Sequence, residues 1–455
     1  MTKKTNCASK ASIEDFRDHV AQSLGPASGV LINLLDVLAI GPRPASPVEM
    51  TLSPLWGYRW SSLYTGIDRA SQELADSIAE DDWLQELRKE RLAWLASQEV
   101  NPVNPATGKW RVRILDATDY PRPKTETVKL GYVHGASGMR LGHGLSLLSE
   151  RVGEGSWTLP LEIGWIPPNS NPITYGVAQL EEFVKRQGWP EKQALAVDAQ
   201  YTVEPFLHPV HQLGIPILGR VASNRVFFLP PPPYPGFGRP RVRGRKIKLN
   251  DARTLPKIDA KDVWELEGGG RIEVNRWDDI RMRTWPGQRL DLYRVIEYKA
   301  DGKPRYKRPL WLIFVPILVD AELPTPREAQ AIYEERFSIE HSIRFMKGDL
   351  GLTCGQFNSA EAEGRVQVWV EMVATAFWFL WVLRARAETE GEKLPGWWRS
   401  GKLTPGAVRR LAAGLLLSLG WSKPQPKPRG KSSGRAAGTS FEPRARFKAY
   451  RSASQ

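Results

Sequence analysis

The feature that most constrains this chain is the stretch from Tyr333 to Lys347, YEERFSIEHSIRFMK. It follows Thr325-Pro326-Arg327-Glu328, where Thr can cap a helix, Pro fits its first turn and Glu three residues on completes a capping box. Gly348 is the stop signal. These limits predict a helix of about 22 residues, turning about 100° per residue. With Tyr333 at zero, Arg336 falls near ~300°, Glu340 near ~340° and Lys347 near ~320°, so the four share one narrow face. Ile332, Ile339, Ile343 and Met346 fall between about 220° and 280°, an apolar stripe beside the polar one. Such a helix docks by its isoleucines and carries Glu340 at its rim.

A chain of 455 residues, 41% of them apolar, is long enough for two or three domains and a sizeable core. Lys and Arg number 64 against 50 Asp and Glu, a net charge of +14 with pI near 9.7, which favours a polyanionic partner, nucleic acid first. The two cysteines, Cys7 and Cys354, have no metal-ligand spacing and offer no disulfide framework, so a reducing compartment is expected. No apolar signal core opens the sequence. The most apolar run, Met372 to Leu383, is bracketed by Glu371 and Arg384, too short for a membrane span of about 20 residues. It is expected as a buried helix, and no membrane partner is expected.

Residues 1–105 carry helical patterning, in SIEDFRDHVAQSL near the start and in Glu73 to Gln98, and form an expected helical module. At Trp110 the texture changes. RVRILD, Arg111 to Asp116, reads as a short strand ending on a carboxylate, with Asp119 as a rival acid or a turn residue before Tyr120-Pro121. Met139 to Leu148 and Trp157 to Trp165 read as two further strands, the first interrupted by a turn-like Gly142-His143-Gly144, and Gly176 to Gly188 as a crossover helix. QALAVD, Gln193 to Asp198, has the continuous apolar run of a buried parallel strand delivering one acid at its end. A helix from Pro205 and a strand over Ile215 to Val221 follow. His134 and His143, unpaired at zinc spacing, are read as structural or surface groups.

Val221 to Leu310 breaks the alternation. It opens with prolines and glycines and runs into RPRVRGRKIK, whose Arg239, Arg241, Arg243, Arg245, Lys246 and Lys248 can follow a phosphate backbone. Beyond lie the strand-like RIEVNRWDDIRMRTW, RLDLYRVIEY and LWLIFVPIL, with Trp277 and Trp285 as packed aromatics or base-stacking groups. Two apolar helices, Val366 to Arg386 and Leu411 to Leu419, come after Lys347. From Ser422 onward nine basic residues stand against Glu442 alone, the composition of a disordered DNA-binding arm. The expected division is 1–105 helical module, 106–222 first part of an α/β core, 223–309 β-rich insertion, 310–420 second part of the core, and 421–455 tail.

The spacing Tyr-x2-Arg-x3-Glu-x6-Lys at Tyr333, Arg336, Glu340 and Lys347 resembles the signature of DDE transposases of the insertion-sequence-four type. LDATDYPRPK is similar to the first-Asp motif of that family, which selects Asp116 with Thr118 two residues on, and Asp198-Ala199-Gln200-Tyr201 to the second. The resemblance spans about residues 110–350 and implies a ribonuclease H-like mixed sheet flanked by helices, with a β-rich insertion before the Glu340 helix. It implies that Asp116, Asp198 and Glu340 are catalytic and hold two Mg²⁺ ions, replaceable by Mn²⁺, with Asp116 bridging them. Tyr333, Arg336 and Lys347 would hold phosphates. The implied reaction is cleavage at transposon ends and strand transfer into target DNA by a homodimer, on the nucleoid of a prokaryotic cytoplasm. A catalytically silent DNA-binding relative and a nuclease without strand transfer are the alternatives.

Overall fold

The computed structural model describes residues 10–41, 43–76, 83–97, 104–123, 125, 129–135, 138–153, 155–317, 322–358, 362–390, 403–418, 437–438, 440 and 445–448. In chain order its elements are α1 (Lys10–Ser23), α2 (Ser28–Ile40), α3 (Pro47–Met50), α4 (Trp60–Asp76), α5 (Trp83–Ser97), β1 (Arg111–Pro121), β2 (Gly131–Gly135), β3 (Gly138–Arg151) and β4 (Thr158–Ile166). Then come α6 (Pro172–Gln187), β5 (Gln193–Val197), α7 (Glu204–Gln212), β6 (Ile217–Val221), β7 (Val226–Phe228), β8 (Lys246–Lys248), β9 (Ala260–Glu265), β10 (Arg271–Met282), β11 (Leu290–Tyr298) and β12 (Leu310–Val315). Three helices follow: α8 (Pro326–Gly348), α9 (Ala362–Glu390) and α10 (Pro405–Ser418). The fold is mixed α/β, its strands mostly antiparallel. The strand carrying Asp116, the helix, the strand before Asp198, the β-rich insertion and the Glu340 helix occur in the expected order.

The chain forms two compact units, one of Met1–Asn101, Ala117–Ser170 and Ile339–Gln455, the other of Pro102–Asp116 and Asn171–Ser338. In the second, β1 pairs in parallel with β5 and β5 with β6, and β12, β11 and β10 continue from β6 by antiparallel pairing, with β9 and β7 both on β10 and β8 on β7. β5 is QALAV with every residue buried, as a strand covered on both faces must be. Asn171 caps α6 by accepting from the amides of Ile173 and Thr174, and Gly188, at φ +68°, ends it. Gly176 lets α6 lie close: a Cβ there would stand 3.0 Å from Leu115 and about 3.5 Å from Tyr201.

The first unit is built around α9, which packs against α1, α2, α4, α10 and β4. Its apolar stretch Ala362–Ala385 is long enough to cross a membrane, beyond the run Met372 to Leu383 seen in the sequence, but 89% of an apolar 18-residue window within it is buried inside the protein. The charge that interrupts it is neutralised in place. Glu371, fully buried, accepts from Arg88 at 2.7 Å and from Arg91 at 2.8 Å, and Arg91 also donates to Thr375 Oγ1 at 2.9 Å. Arg88 donates further to the carbonyl of Ile163 at 3.0 Å. Two arginines of α5 are thereby tied to α9 and β4.

Several expectations are revised. β1 does not end at Asp116 but runs to Pro121, because Tyr120 is a core residue and the strand has reason to continue. An additional strand, β2, pairs with β3, while β7, β8 and β9 go unannounced by any long apolar alternation. Gly142 and Gly144 are not a turn: they lie inside β3, and a Cβ on Gly142 would stand 2.4 Å from the carbonyl of Tyr120, so glycine serves close backbone approach. His143 is sandwiched between Tyr120 and Trp165, and burial pushes its pKa down to about 3. The Glu73–Gln98 run is divided between α4 and α5. Gly348 closes α8 without a left-handed conformation; Gly351, at φ +70°, takes the turn instead. The basic tail falls almost entirely outside the described residues.

Two measurements test this packing. Glu371→Ala leaves two buried guanidinium groups without their shared acid and should lower unfolding free energy by about 3–5 kcal/mol in urea titrations. His143 has a folded pKa below its unfolded value, so the unfolded chain binds its proton first and stability should fall as pH drops from about 6.5 toward 3. His143→Phe should flatten that part of the stability profile while leaving stability at pH 8 nearly unchanged.

Candidate active site

α8 begins as its sequence requires. The amide of Thr325 donates to Glu328 Oε2 at 2.8 Å and the amide of Glu328 to Thr325 Oγ1 at 3.2 Å, a reciprocal capping box. Ile332, Ile339, Ile343 and Met346 are all buried, which fixes the roll of the helix and therefore the direction of its polar face. That face is less wet than expected. Tyr333 is fully buried and Arg336 is 4% exposed, whereas Glu340 is exposed.

Within the second unit the two aspartates meet. β1 and β5 pair with Leu115 opposite Val197, so Asp116 and Asp198 occupy the next rung on neighbouring parallel strands. β5 stops at Asp198, whose backbone opens a short 3-10 turn over Ala199–Tyr201 while its side chain makes no capping bond. Asp198 Oδ1 is buried with no hydrogen-bond partner. Behind the pair lies Tyr201, fully buried against Phe206 at 4.9 Å. Its hydroxyl is driven far above the usual phenol range, first by burial and then by Asp116 and Asp198, so both carboxylates bear on the same phenol.

Arg336 lies beside Asp116, Nη1 to Oδ2 at 3.5 Å. Its guanidinium stands over the ring of Phe337 at 4.8 Å and over that of Tyr333 at 5.6 Å. Burial raises the Tyr333 hydroxyl, with Arg336 pulling the other way and Asp198 adding to the rise. A cation is thus clamped at the edge of an acid pair. Phe337, 44% exposed at this edge, drew no notice in the sequence; its position one residue after Arg336 on a capped helix was the available signal.

Glu340 and Lys347 belong to the first unit. There Lys347 Nζ donates to the carbonyl of Asp119 at 2.7 Å, and burial holds its ammonium below the ordinary lysine pKa against the pull of Asp119. Asp119, the rival acid, accepts the amide of His134 at 3.1 Å and so is partly spent on β2. Among the described residues no group of three or more His, Cys, Asp and Glu is gathered to hold a metal. The donors that do adjoin are hard carboxylate oxygens, one buried and unsatisfied, which fits Mg²⁺ or Mn²⁺ better than a soft metal. A hexacoordinate ion would still need a further carboxylate or waters.

The basic segment is a separate feature of the second unit. Residues 231–243 leave the β7–β8 hairpin as a long exposed arm, closed at its base by Leu229 N donating to Arg245 O and Gly244 N to Leu229 O, both at 2.9 Å. Gly244 is required there, since a Cβ would stand 2.1 Å from the carbonyl of Pro230. Arg239, Arg241, Arg243, Arg245, Lys246 and Lys248 are all exposed. Arg243 covers Phe228 at 5.5 Å, and none of the six forms an ion pair among the described residues. Phe237 protrudes at the tip, 79% exposed. Trp277 is packed on Trp311 with its indole N–H donating to Pro256 O, while Trp285 is half-buried between His208 and His211.

Residues 176–284 match a family model described as DDE superfamily endonuclease, a span that includes Asp198, the basic arm and all of β10. Among solved structures, the chain is similar to the piggyBac transposase synaptic complex with hairpin DNA, seen by cryo-electron microscopy, at 10% identity over 90% of this chain and 72% of that one, with a TM-score of 0.40. No curated protein sequence matches it.

The Arg336–Asp116 contact is open to a double-mutant cycle. Arg336→Met and Asp116→Asn should each destabilise the protein. The two together should cost less than their sum by more than about 1 kcal/mol, read from denaturant midpoints at constant slope.

Proposed function

We propose that this protein is a DDE transposase of the insertion-sequence-four type, which cleaves DNA at the ends of its own element and joins the freed end to target DNA. The observation that carries the reading is the register of β1 and β5, which sets Asp116 beside Asp198 with a buried carboxylate oxygen left over. The match of residues 176–284 to DDE superfamily endonucleases supports a nuclease built on the second of these acids. The Tyr-Arg-Glu-Lys spacing on α8 supports Glu340 as the third.

Asp116, Asp198 and Glu340 would hold two Mg²⁺ ions, which when bound supply an ionised water and neutralise charge on the scissile phosphate. The residues do the rest. Asp116 and Asp198 fix where the attacking oxygen lies, because their strands leave neither backbone free to drift. Arg336, clamped by Asp116 and two rings, presents a cation of fixed orientation to the phosphate's non-bridging oxygens, and a planar fork suits two of them at once. Tyr333 and Phe337 exclude water from that cation and so strengthen its field. Lys347, with a lowered pKa, is a point charge for a neighbouring phosphate. Water attacks phosphorus and the 3′-oxygen leaves, taking a proton to become a hydroxyl. That hydroxyl then attacks a target phosphate and the target's own 3′-oxygen departs, so the count of phosphodiesters is unchanged in this second step. The exposed arm supplies the cations that hold the duplex. The active complex is a homodimer on DNA, and the protein works on the nucleoid.

Asp116→Ala, Asp198→Ala and Glu340→Ala should each lower Mg²⁺-dependent strand cleavage of an end-bearing duplex by at least about 1000-fold while gel-shift affinity persists. Full activity in any one of them removes that residue from the triad. A wild-type protein that shifts DNA but never nicks it makes the chain a silent relative, and products never joined to target make it a simple nuclease.

A further inference from the structure

The turn between β11 and β12, residues 299–308, is a second exposed basic loop that nothing above uses. Its sequence, KADGKPRYKR, holds five cations against Asp301 alone. The loop is built rather than slack. Gly302 N donates to Lys299 O and Lys299 N to Lys303 O, both at 2.9 Å, and Arg305 N donates to Glu297 O at 2.7 Å. Gly302 takes the left-handed position at φ +78°, and Pro304 bridges back to Tyr298. The Arg305 guanidinium is committed to the Glu297 carboxylate. Lys303 is only loosely paired with Asp301, at 3.9 Å. Lys299, Lys307 and Arg308 form no ion pair among the described residues, and Tyr306 stands beside them 64% exposed. Of the acids at this end, Glu265 lies opposite Arg271, Glu267 is exposed on the turn after β9, and Glu334 on α8 bears on Glu297. Three free cations around an exposed aromatic, on a hairpin pinned by its fourth, make a surface for a phosphate backbone rather than for an acidic side chain.

Its place on the sheet gives the surface a length scale. Loop 299–308 springs from Tyr298, which pairs with Arg271 at the start of β10. The basic arm springs from Phe228, which pairs with Arg281 near the end of the same strand. β7 runs antiparallel to β10, so the chain leaving Phe228 heads back along β10 toward Arg271, and at most roughly 30 Å of strand separates the bases of the two loops. One turn of B-DNA is about 34 Å.

We infer that loop 299–308 is a second duplex-DNA contact, and that it and the arm at 239–245 engage the same duplex within one helical turn of each other, both directed to the end of β10 that Arg271 begins. The inference rests on the reading of the chain as a DNA-processing enzyme. It adds a site and a spacing that the reading does not require.

The test uses the full chain and a 30-base-pair duplex, with affinity measured by fluorescence anisotropy across a salt series. Lys299→Ala/Lys307→Ala/Arg308→Ala should reduce the slope of log affinity against log salt by about 2–3, near 0.9 for each phosphate no longer neutralised. The charge-retaining Lys299→Arg/Lys307→Arg/Arg308→Lys should keep the wild-type slope, which separates charge from folding. In a Cys7→Ser/Cys354→Ser background, an iron chelate tethered at Tyr306→Cys and, separately, at Phe237→Cys should cut the duplex at positions no more than about 10 base pairs apart. A wild-type slope in the alanine triple, alongside a reduced slope in Arg239→Ala/Arg241→Ala/Arg243→Ala/Arg245→Ala, overturns this inference and leaves the proposed function standing. Cutting sites more than about 10 base pairs apart overturn the shared-turn placement. A wild-type chain that binds no duplex fails the proposed function itself, and this inference with it.

Discussion

The parallel pairing of β1 with β5 is the constraint on which the site depends. Two carboxylates on separate stretches of chain repel and desolvate one another when brought close, and no local preference would hold them there. Here the cost is met by backbone hydrogen bonds along five paired residues and by the burial of every side chain of β5. Arg336 offsets part of the charge, and the rings of Tyr333 and Phe337 limit where that cation can go. A slip of one residue in the β1–β5 register would turn one of the two carboxylates to the opposite face of the sheet.

What could be read in the amino-acid sequence was whatever local chemistry dictates. The capping box at Thr325 and Glu328, the isoleucine stripe of α8, the Gly188 stop of α6 and the acid closing QALAV all arise from residues within a few positions of each other, and all are present in the structure. What could not be read depends on partners far along the chain. β9 alternates weakly and β7 and β8 have three residues each; β7 and β9 are strands because β10 supplies hydrogen bonds, and β8 because β7 does. Gly142 looks like a turn residue until the carbonyl of Tyr120, more than twenty residues earlier, is found pressed against it. The roles expected of Tyr333 and Arg336 could be named from spacing, yet their burial could not, since nothing in YEERFSIEHSIRFMK says that the polar side also packs.

Buried polarity follows one rule in both units. Arg91 and Glu371 in the first, Arg336 and Asp116 in the second, are charged groups withdrawn from water and placed against a complement. The difference lies in completeness. Glu371 has a cation on each of its two oxygens and Thr375 accepts from Arg91, whereas Asp198 retains a buried oxygen with nothing to accept. An acid paired on both oxygens secures a core; an acid left with a buried oxygen and nothing to accept is where a ligand has something to gain.

The ties from α5 to Glu371 join residues 280 positions apart. At a synthesis rate of about 5–20 residues per second, roughly 15 to 55 seconds pass between the emergence of Arg91 from the ribosome and that of its acid. Through that interval α1, α2 and α4 can pack on one another but lack α9, the element that all three share. These helices are therefore made well before the surface that completes their packing, and a cell producing the protein must shield them from aggregation until α9 arrives.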